Sequence, residues 1–453
     1  MASNSRRDFI KKIGVGTAAI SIGSSLFNNS AMAASAKSYR NIIGANDRIR
    51  VATIGVNSRG TSMGGTFARQ KNAEVTYICD VDNRTFAKAI KRITDAGQTT
   101  QPKTEKDLRR VLENKDVDAI YTATPDHWHA PLTIMGCQAG KHVYVEKPMA
   151  HNPAEGEMAV AAARKYNRVV QMGAQRRSAP VLTKGIQLLH EGIIGKVYMA
   201  KTWYTNTRKE TFLKPGTVPD WLDYDLWQGP APRVPYQDGL IHYDWHWFWH
   251  WGTGEALNNG THEVDVARWG LGVDYPTRIS SIGGRYQFND DWETPDTQVV
   301  TLEYPGATLV WENRSCNGQK VEGLDRGIVF YGEKGSLETG WDGYKIYDLQ
   351  GKLTEEQSAA EQGAMEGRNT ASPSLGMDSL HAADFLDAIR NDRRPNCDIE
   401  LGYKSTVAML LSNISWRVKR DLHINPENGH IIGDDEAQKL WSRTYEPGWE
   451  PKL

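Results

Sequence analysis

The chain has 453 residues, 39% of them hydrophobic and 24% charged, with a formal net charge of -1. That length exceeds one ordinary core and suits two domains. The near-neutral charge, with no long like-charge run, gives no basic footprint for nucleic acid and no interaction tail, and no apolar run in the body of the chain reaches membrane-spanning length.

The first residues read as an address. Arg6-Arg7 is followed by Asp8-Phe9-Ile10-Lys11, then by a Gly/Ala/Ser-rich apolar stretch from Ile13 to Phe27 and by Ala31-Met32-Ala33. A charged start, a mild apolar region and a small-residue cleavage site match a twin-arginine export signal over residues 1–33. The alternative is an amphipathic surface helix. Cleavage would remove four cations against Asp8 and leave about -4. The expected location is the periplasm. Cys79, Cys137, Cys316 and Cys397 form no C-x-x-C pair, so spacing neither pairs them nor builds a zinc site.

Residues 34–46 read as a linker. From there the pattern alternates: strand 49–55, helix 61–70, strand 74–80, helices 85–94 and 106–114, strand 118–125, helix 128–139, strand 142–148, helix 154–166 and strand 169–173. Apolar strands alternating with helices predict a parallel sheet covered on both faces. The expected class is α/β: a Rossmann domain over 47–172, then an α+β domain over 173–453 with a large open, mixed or antiparallel sheet. In the second part, a helix over 180–191 precedes KVYMAKTWYT, TRISSIGGRY, TQVVTLEY, ATLVWEN and GIVFYGEKGSLET, all strand-like with Gly or Asn turns. Helices over 379–391 and 404–419 are expected to pack back on the body.

The first strand runs into Gly55-Val56-Asn57-Ser58-Arg59-Gly60. This is a degenerate dinucleotide fingerprint with Asn57 at the middle glycine, a residue that tolerates left-handed backbone. Gly55 makes the turn, Gly60 permits close helix packing, and the loop with Asn57, Ser58 and Arg59 faces a pyrophosphate at the helix N-terminus. Asp80, 20 residues past Gly60, suits the ribose 2′-OH and favours NAD over NADP; Arg84 keeps NADP open. The bland alternative is a glycine turn with no nucleotide.

Three further motifs carry a family resemblance: Thr124-Pro125-Asp126-His127-Trp128-His129, Glu146-Lys147-Pro148, and Gly252-Thr253-Gly254-Glu255-Ala256-Leu257-Asn258-Asn259-Gly260-Thr261-His262-Glu263-Val264-Asp265. In this order they resemble the Gfo/Idh/MocA oxidoreductases, over residues 47–420. The resemblance implies that Lys147 sits at the nicotinamide against the substrate hydroxyl and that His262 is the general base or relay. Many members carry Asp where this chain has Asn258, which can orient substrate but cannot accept a proton. That puts the usual Asp–His proton pathway in doubt and leaves the load on His262 and Lys147. Positions 258 and 262 are expected to share one face of a helix. Asp265 is expected to position His262. Thr124, Pro125, His127, His129, Glu146 and Lys147 are assigned to the cofactor side; for His127 and His129 a structural place at the helix N-terminus is preferred over ligand contact. Arg176 is assigned to substrate, with Arg177 beside it, and a solvated or interdomain salt bridge is the alternative for both.

A dense aromatic run, His242 to Trp251, precedes the His262 helix. Flat rings with polar edges suit pyranose faces, so the cluster as a whole, through Trp245 and Trp247, is assigned to substrate, while for each individual ring taken alone a core role is the preferred reading. His246 and His250 lack a third partner, and no metal is expected. The expected activity is NAD-dependent oxidation of a sugar or glycoside hydroxyl, at C3, with tightly held cofactor and an unidentified electron acceptor. The alternatives are a redox-neutral glycosidase using oxidation, elimination, hydration and reduction, and a non-catalytic binding protein. A homo-oligomer, dimer or tetramer, is expected.

Overall fold

The structure, a computed structural model, describes residues 48–341, 343–358 and 375–453. The expected export signal (1–33) and linker (34–46) lie outside the described residues. β1 (Ile49–Ile54), β2 (Ala73–Cys79), β3 (Lys103–Glu105), β4 (Ala119–Thr122), β5 (His142–Val145) and β6 (Val170–Met172) form a parallel sheet in the order β3-β2-β1-β4-β5-β6. The order reverses between β1 and β4. A crevice therefore opens beyond the carboxyl ends of those two strands, where such sheets bind ligands. β3 escaped the sequence reading because its Lys-Thr-Glu at the sheet edge buries nothing.

Neighbouring residues of one strand feed opposite cores. Ile120 and Val143 pack with Leu132, Ile134 and Cys137 of the helix Asp126–Gln138. Tyr121 and Tyr144 pack with Met63 and Phe67 of the helix Arg59–Ala68. The second face is completed from far along the chain, by the helix Leu375–Asn391, whose Phe385 ring stands edge-on to Phe67 and Tyr144 at 6.4 and 5.7 Å between centroids. Period-two alternation of side chains makes both faces apolar, so both must be covered.

Next come β7 (Val197–Thr205) and a two-residue ribbon of β8 (Lys214–Pro215) with β9 (Gln237–Asp238). β10 (Arg278–Gly284), β11 (Thr297–Tyr304), β12 (Ala307–Arg314), β13 (Arg326–Gly332), β14 (Gly335–Thr339), β15 (Gly343–Asp348), β16 (Leu353–Ser358) and β17 (Leu422–His423) join β7 in a nine-stranded sheet. Its order is β16-β15-β14-β13-β7-β12-β11-β10-β17, antiparallel apart from β7 with β12. This is the large mixed sheet expected. Strand β11 buries Gln298, Val300, Leu302 and Tyr304 and turns its other residues outward, and the helices Gly260–Leu271 and Ile399–Val418 lie on the buried face. β15 and β16 were not legible, since β16 is polar and wholly exposed. Cys79, Cys137, Cys316 and Cys397 are all free thiols.

Candidate active site

The crevice begins at Gly55. Its φ is +79°, and a Cβ there would stand 2.7 Å from the Ala123 carbonyl oxygen. At Gly60 a Cβ would meet the Gly55 oxygen at 1.8 Å. Both positions therefore exclude any side chain, which lets the turn and the following helix close on each other. Asn57 and Ser58 are exposed, no side chain caps the helix that starts at Arg59, and its first turn carries no acid. Open backbone N–H groups at a helix N-terminus fit a pyrophosphate. At the end of β2, Asp80 accepts hydrogen bonds from the Val56 and Asp82 amides at 2.6 and 2.9 Å; burial raises its pKa from the ordinary value. Its remaining lone pairs fit a ribose hydroxyl. The residues present fit a dinucleotide.

Arg59 departs from the phosphate-loop assignment. Its guanidinium turns inward to Glu146 at 2.8 Å and to both oxygens of Asp378 at 2.7 and 2.8 Å. Glu146 also accepts from the Tyr121 hydroxyl at 2.9 Å. The side chains of Arg59 and Glu146 thus lock the parallel sheet to the helix Leu375–Asn391, and only the backbone of Arg59 stands at the loop.

Lys147 follows β5. Its ammonium donates to the Asn258 backbone carbonyl and, at 3.1 Å, to Asn258 Oδ1. Burial lowers its pKa, while Glu146, Asp126 and Glu255 pull the other way. Asn258 Nδ2 donates to Glu255 at 2.7 Å, and Arg208 reaches the same carboxylate at 3.2 Å. Arg208 in turn donates to the Tyr243 hydroxyl at 2.7 Å. A carboxylate therefore does lie behind Lys147, at position 255 and not at 258.

Asn258 and His262 do not lie on one continuous helix. The helix Gly254–Asn258 ends, Asn259 breaks it, and a second helix runs over Gly260–Leu271. The shared helical face assumed from spacing is absent. Lys147 still links to the first helix while His262 opens the second. His262 is buried, and burial with Lys147, Arg326, Arg176 and Arg59 holds its pKa well below 6.5. Its ring stands 6.3 Å from that of Trp341. Arg176 and Arg326 lie over the same indole at 5.4 and 5.0 Å. Arg176 donates to the Gly340 carbonyl at 2.8 Å, and burial pulls its pKa down to about 10. Both arginines flank the buried carboxylate of Glu263, at 3.9 and 3.6 Å.

The assignments of Asp265, Trp245 and Trp247 need correction, whereas His127 and His129 take the structural places preferred for them. Asp265 does not position His262; it binds Arg177 through two hydrogen bonds of 2.8 and 2.9 Å and accepts from Ser405. The Arg177 salt bridge is buried and lies within the second part of the chain, neither solvated nor interdomain as weighed. His127 is fully buried against Trp227 and Trp251, with Nε2 at the Trp227 carbonyl. His129 spends both nitrogens on the Pro148 and Thr124 carbonyls, at 2.6 and 2.8 Å. It ties the Thr124-Pro125 turn to the one following Lys147. Trp247 is 1% exposed and stacks on Trp292 at 4.1 Å. Trp245 donates to the His242 carbonyl and stacks on His246 at 3.6 Å. Both belong to a buried aromatic cluster with Leu222, Tyr224, Trp227 and Trp251. Among the described residues no group of His, Cys, Asp or Glu could hold a metal ion.

Sequence reasoning missed Glu255, Arg208, Tyr243, Arg326 and Trp341 as site residues. Glu255 stood inside a quoted motif and Tyr243 inside the aromatic run; the other three carry no local signal and are brought in by the folding of the second sheet and the loops around it.

Two family models match the chain. "Oxidoreductase family, NAD-binding Rossmann fold" covers residues 49–174, and "Oxidoreductase family, C-terminal alpha/beta domain" covers residues 186–410. Curated relatives include a glycosyl hydrolase family 109 protein of Saccharopolyspora erythraea, 30% identical over 208 residues, which is 43% of this chain and 45% of that one. Another is a glycosyl hydrolase family 109 protein of a Shewanella species, 34% identical over 158 residues, 33% of this chain and 35% of that one. The matched stretch thus spans less than half the length of these relatives. Among solved structures, a levoglucosan dehydrogenase bound to NADH and levoglucosan superposes with a TM-score of 0.65 at 17% identity, over 83% of this chain and 99% of that one. An aldose-aldose oxidoreductase of Caulobacter crescentus, in complex with glycerol, gives 0.63 at 20% identity, over 83% and 100%. At such identities the likeness establishes the fold.

Proposed function

Because this chain belongs to the Gfo/Idh/MocA oxidoreductase family, we propose that it oxidises a ring hydroxyl of a sugar or glycoside, at C3, with NAD as the hydride acceptor. The observation that carries this reading is Lys147, delivered by the parallel sheet, donating to Asn258 just ahead of the His262 helix. It supports an ammonium and a neutral imidazole from the two halves of the fold working on one substrate.

When bound, NAD supplies a site for the hydride leaving the carbinol carbon. The chain's own residues manage the proton and the charge on oxygen. Two of the three Lys147 N–H groups go to Asn258, and the third is left to stabilise an oxygen that turns into an alkoxide and then a carbonyl. His262, kept neutral by burial and four neighbouring cations, accepts the hydroxyl proton and passes it on, because an imidazolium is disfavoured there. The balance is one carbinol and one NAD⁺ giving one carbonyl, one NADH and one proton. Trp341, beside His262, offers an indole face to the ring's C–H surface.

The glycosyl hydrolase family 109 names of the relatives favour a second reading, a redox-neutral glycosidase. There oxidation at C3 acidifies the C2 proton, elimination releases the aglycone, water adds, and the hydride returns. The reading also includes twin-arginine export of the folded protein with its cofactor, supported by Arg6-Arg7 and the apolar stretch behind them. Incubating the purified protein with sugars and with aryl glycosides, while following NADH absorbance and phenol release, tests both activities. NADH without phenol supports the dehydrogenase. Phenol without added acceptor supports the hydrolase. Neither signal, with NAD shown to be bound, would refute both.

A further inference from the structure

The aromatic segment does its most specific work at the end of β2. Asp80 closes that strand, where a Rossmann acid meets the adenosine ribose. Two residues on, Asp82 is buried, and its carboxylate receives Arg84 Nε and NH2 at 2.9 and 2.7 Å and His242 Nε2 at 2.7 Å. The backbone of the segment is stitched to the same turn. Asp82 pairs with Leu222 in an antiparallel bridge, Asn83 donates to the Trp221 carbonyl at 3.3 Å, and Asp223 donates to the Val81 carbonyl at 3.0 Å. The Arg84 guanidinium lies 3.3 Å over the Trp221 ring, which is 6.0 Å from that of His242.

We infer that the segment from Trp221 to His242 forms the outer wall of the adenosine end of the cofactor site, retaining NAD between turnovers and disfavouring NADP. The inference rests on the NAD reading above and adds to it the residues that hold and select the cofactor. Retention follows from rigidity. The wall is anchored through Leu222, Trp227 and Tyr236 in the buried aromatic cluster, so it cannot swing aside without exposing that core. Selection follows from charge. Arg84, the one cation the sequence offered to a 2′-phosphate, is neutralised by Asp82 and covered by Trp221. Asp80 then presents its carboxylate where the extra phosphate would lie, while Asp82 is spent on Arg84 and His242.

Exchange of isotopically labelled NAD against an unlabelled chase, read by mass spectrometry, tests this on the whole chain. Arg84→Ala and Trp221→Ala are each expected to release label about tenfold faster than the parent chain, the scale of a lost cation–π contact. Asp82→Asn is expected to raise the NADP-to-NAD affinity ratio about tenfold by freeing Arg84. Arg84 is half exposed, so its variant keeps the fold and decides the matter even if Trp221→Ala unfolds. NAD that binds but exchanges equally fast in folded parent and Arg84→Ala proteins overturns the wall. A parent chain that binds no NAD overturns the cofactor reading, and this inference with it.

Discussion

Lys147 and Asn258 meet across the junction of the two sheets, the lysine ammonium donating to both the main-chain and the side-chain carbonyl of one asparagine. The contact gives the lysine two neutral acceptors in place of a carboxylate, with Glu255 held behind Asn258 by its Nδ2. Lys147→Ala is expected to lower kcat by about 10²- to 10³-fold with bound NAD unchanged, checked by steady-state rates beside cofactor content.

Asn258→Asp would put a carboxylate directly on Lys147. The ammonium form is then favoured, so the alkaline limb of the rate profile is expected to move to higher pH. A limb that stays in place would show that Lys147 does not set it.

In the parent protein, burial lowers the Lys147 pKa below 10.5 and, with neighbouring cations, the His262 pKa well below 6.5. The proposed mechanism needs the lysine protonated and the histidine neutral. Activity is therefore expected to fall as pH rises through a value under the usual lysine range, and to persist on the acid side below 6.5. A kcat/KM profile with an acid limb at or above the ordinary histidine value would contradict the assignment of His262.

Gly60→Ala forces a Cβ onto the Gly55 carbonyl oxygen. Backbone cannot yield there as a flexible side chain could, so NAD content is expected to fall below detection, with a lowered Tm. Mass spectrometry of the intact protein and a thermal scan measure the two effects.

Asp265→Ala strands the buried Arg177 guanidinium. Loss of one partner of a buried pair costs about 3–5 kcal/mol, and urea unfolding is expected to show it. Since Asp265 binds Arg177 and Ser405 instead of His262, the folded fraction should keep its kcat.

Trp341→Ala removes the indole beside His262. A lost ring face is expected to raise KM for sugar about tenfold, from roughly 1–2 kcal/mol of stacking, with kcat less affected. An unchanged KM would remove Trp341 from the substrate surface.

Much of this architecture was legible in the linear pattern, and the failures share a cause. Alternating apolar strands and helices foretold the parallel sheet and the mixed one, and strand β11 falls on the residues expected. Polar edge strands β3 and β16 were invisible because they bury nothing. Helical spacing suggested that Asn258 and His262 share a face, and the break at Asn259 undid it. The aromatic run looked like a sugar platform from composition, yet Trp247 lies on Trp292, far along the chain. Composition records that rings are present and cannot say what they face.

From the chain alone came the positions whose chemistry is local: Gly55 and Gly60 at a turn that tolerates no side chain, Asp80 at a strand end, and Lys147 after another. Tertiary structure decided everything that depends on partners distant in sequence. It turned the Arg59 side chain from phosphate loop to ion-pair lock with Asp378, supplied Glu255 behind Asn258, ringed His262 with cations, and set Arg84 against Trp221. The division is physical. Backbone conformation and periodicity are written within a few residues, whereas burial, pairing and the resulting pKa shifts arise only when remote segments exclude water together.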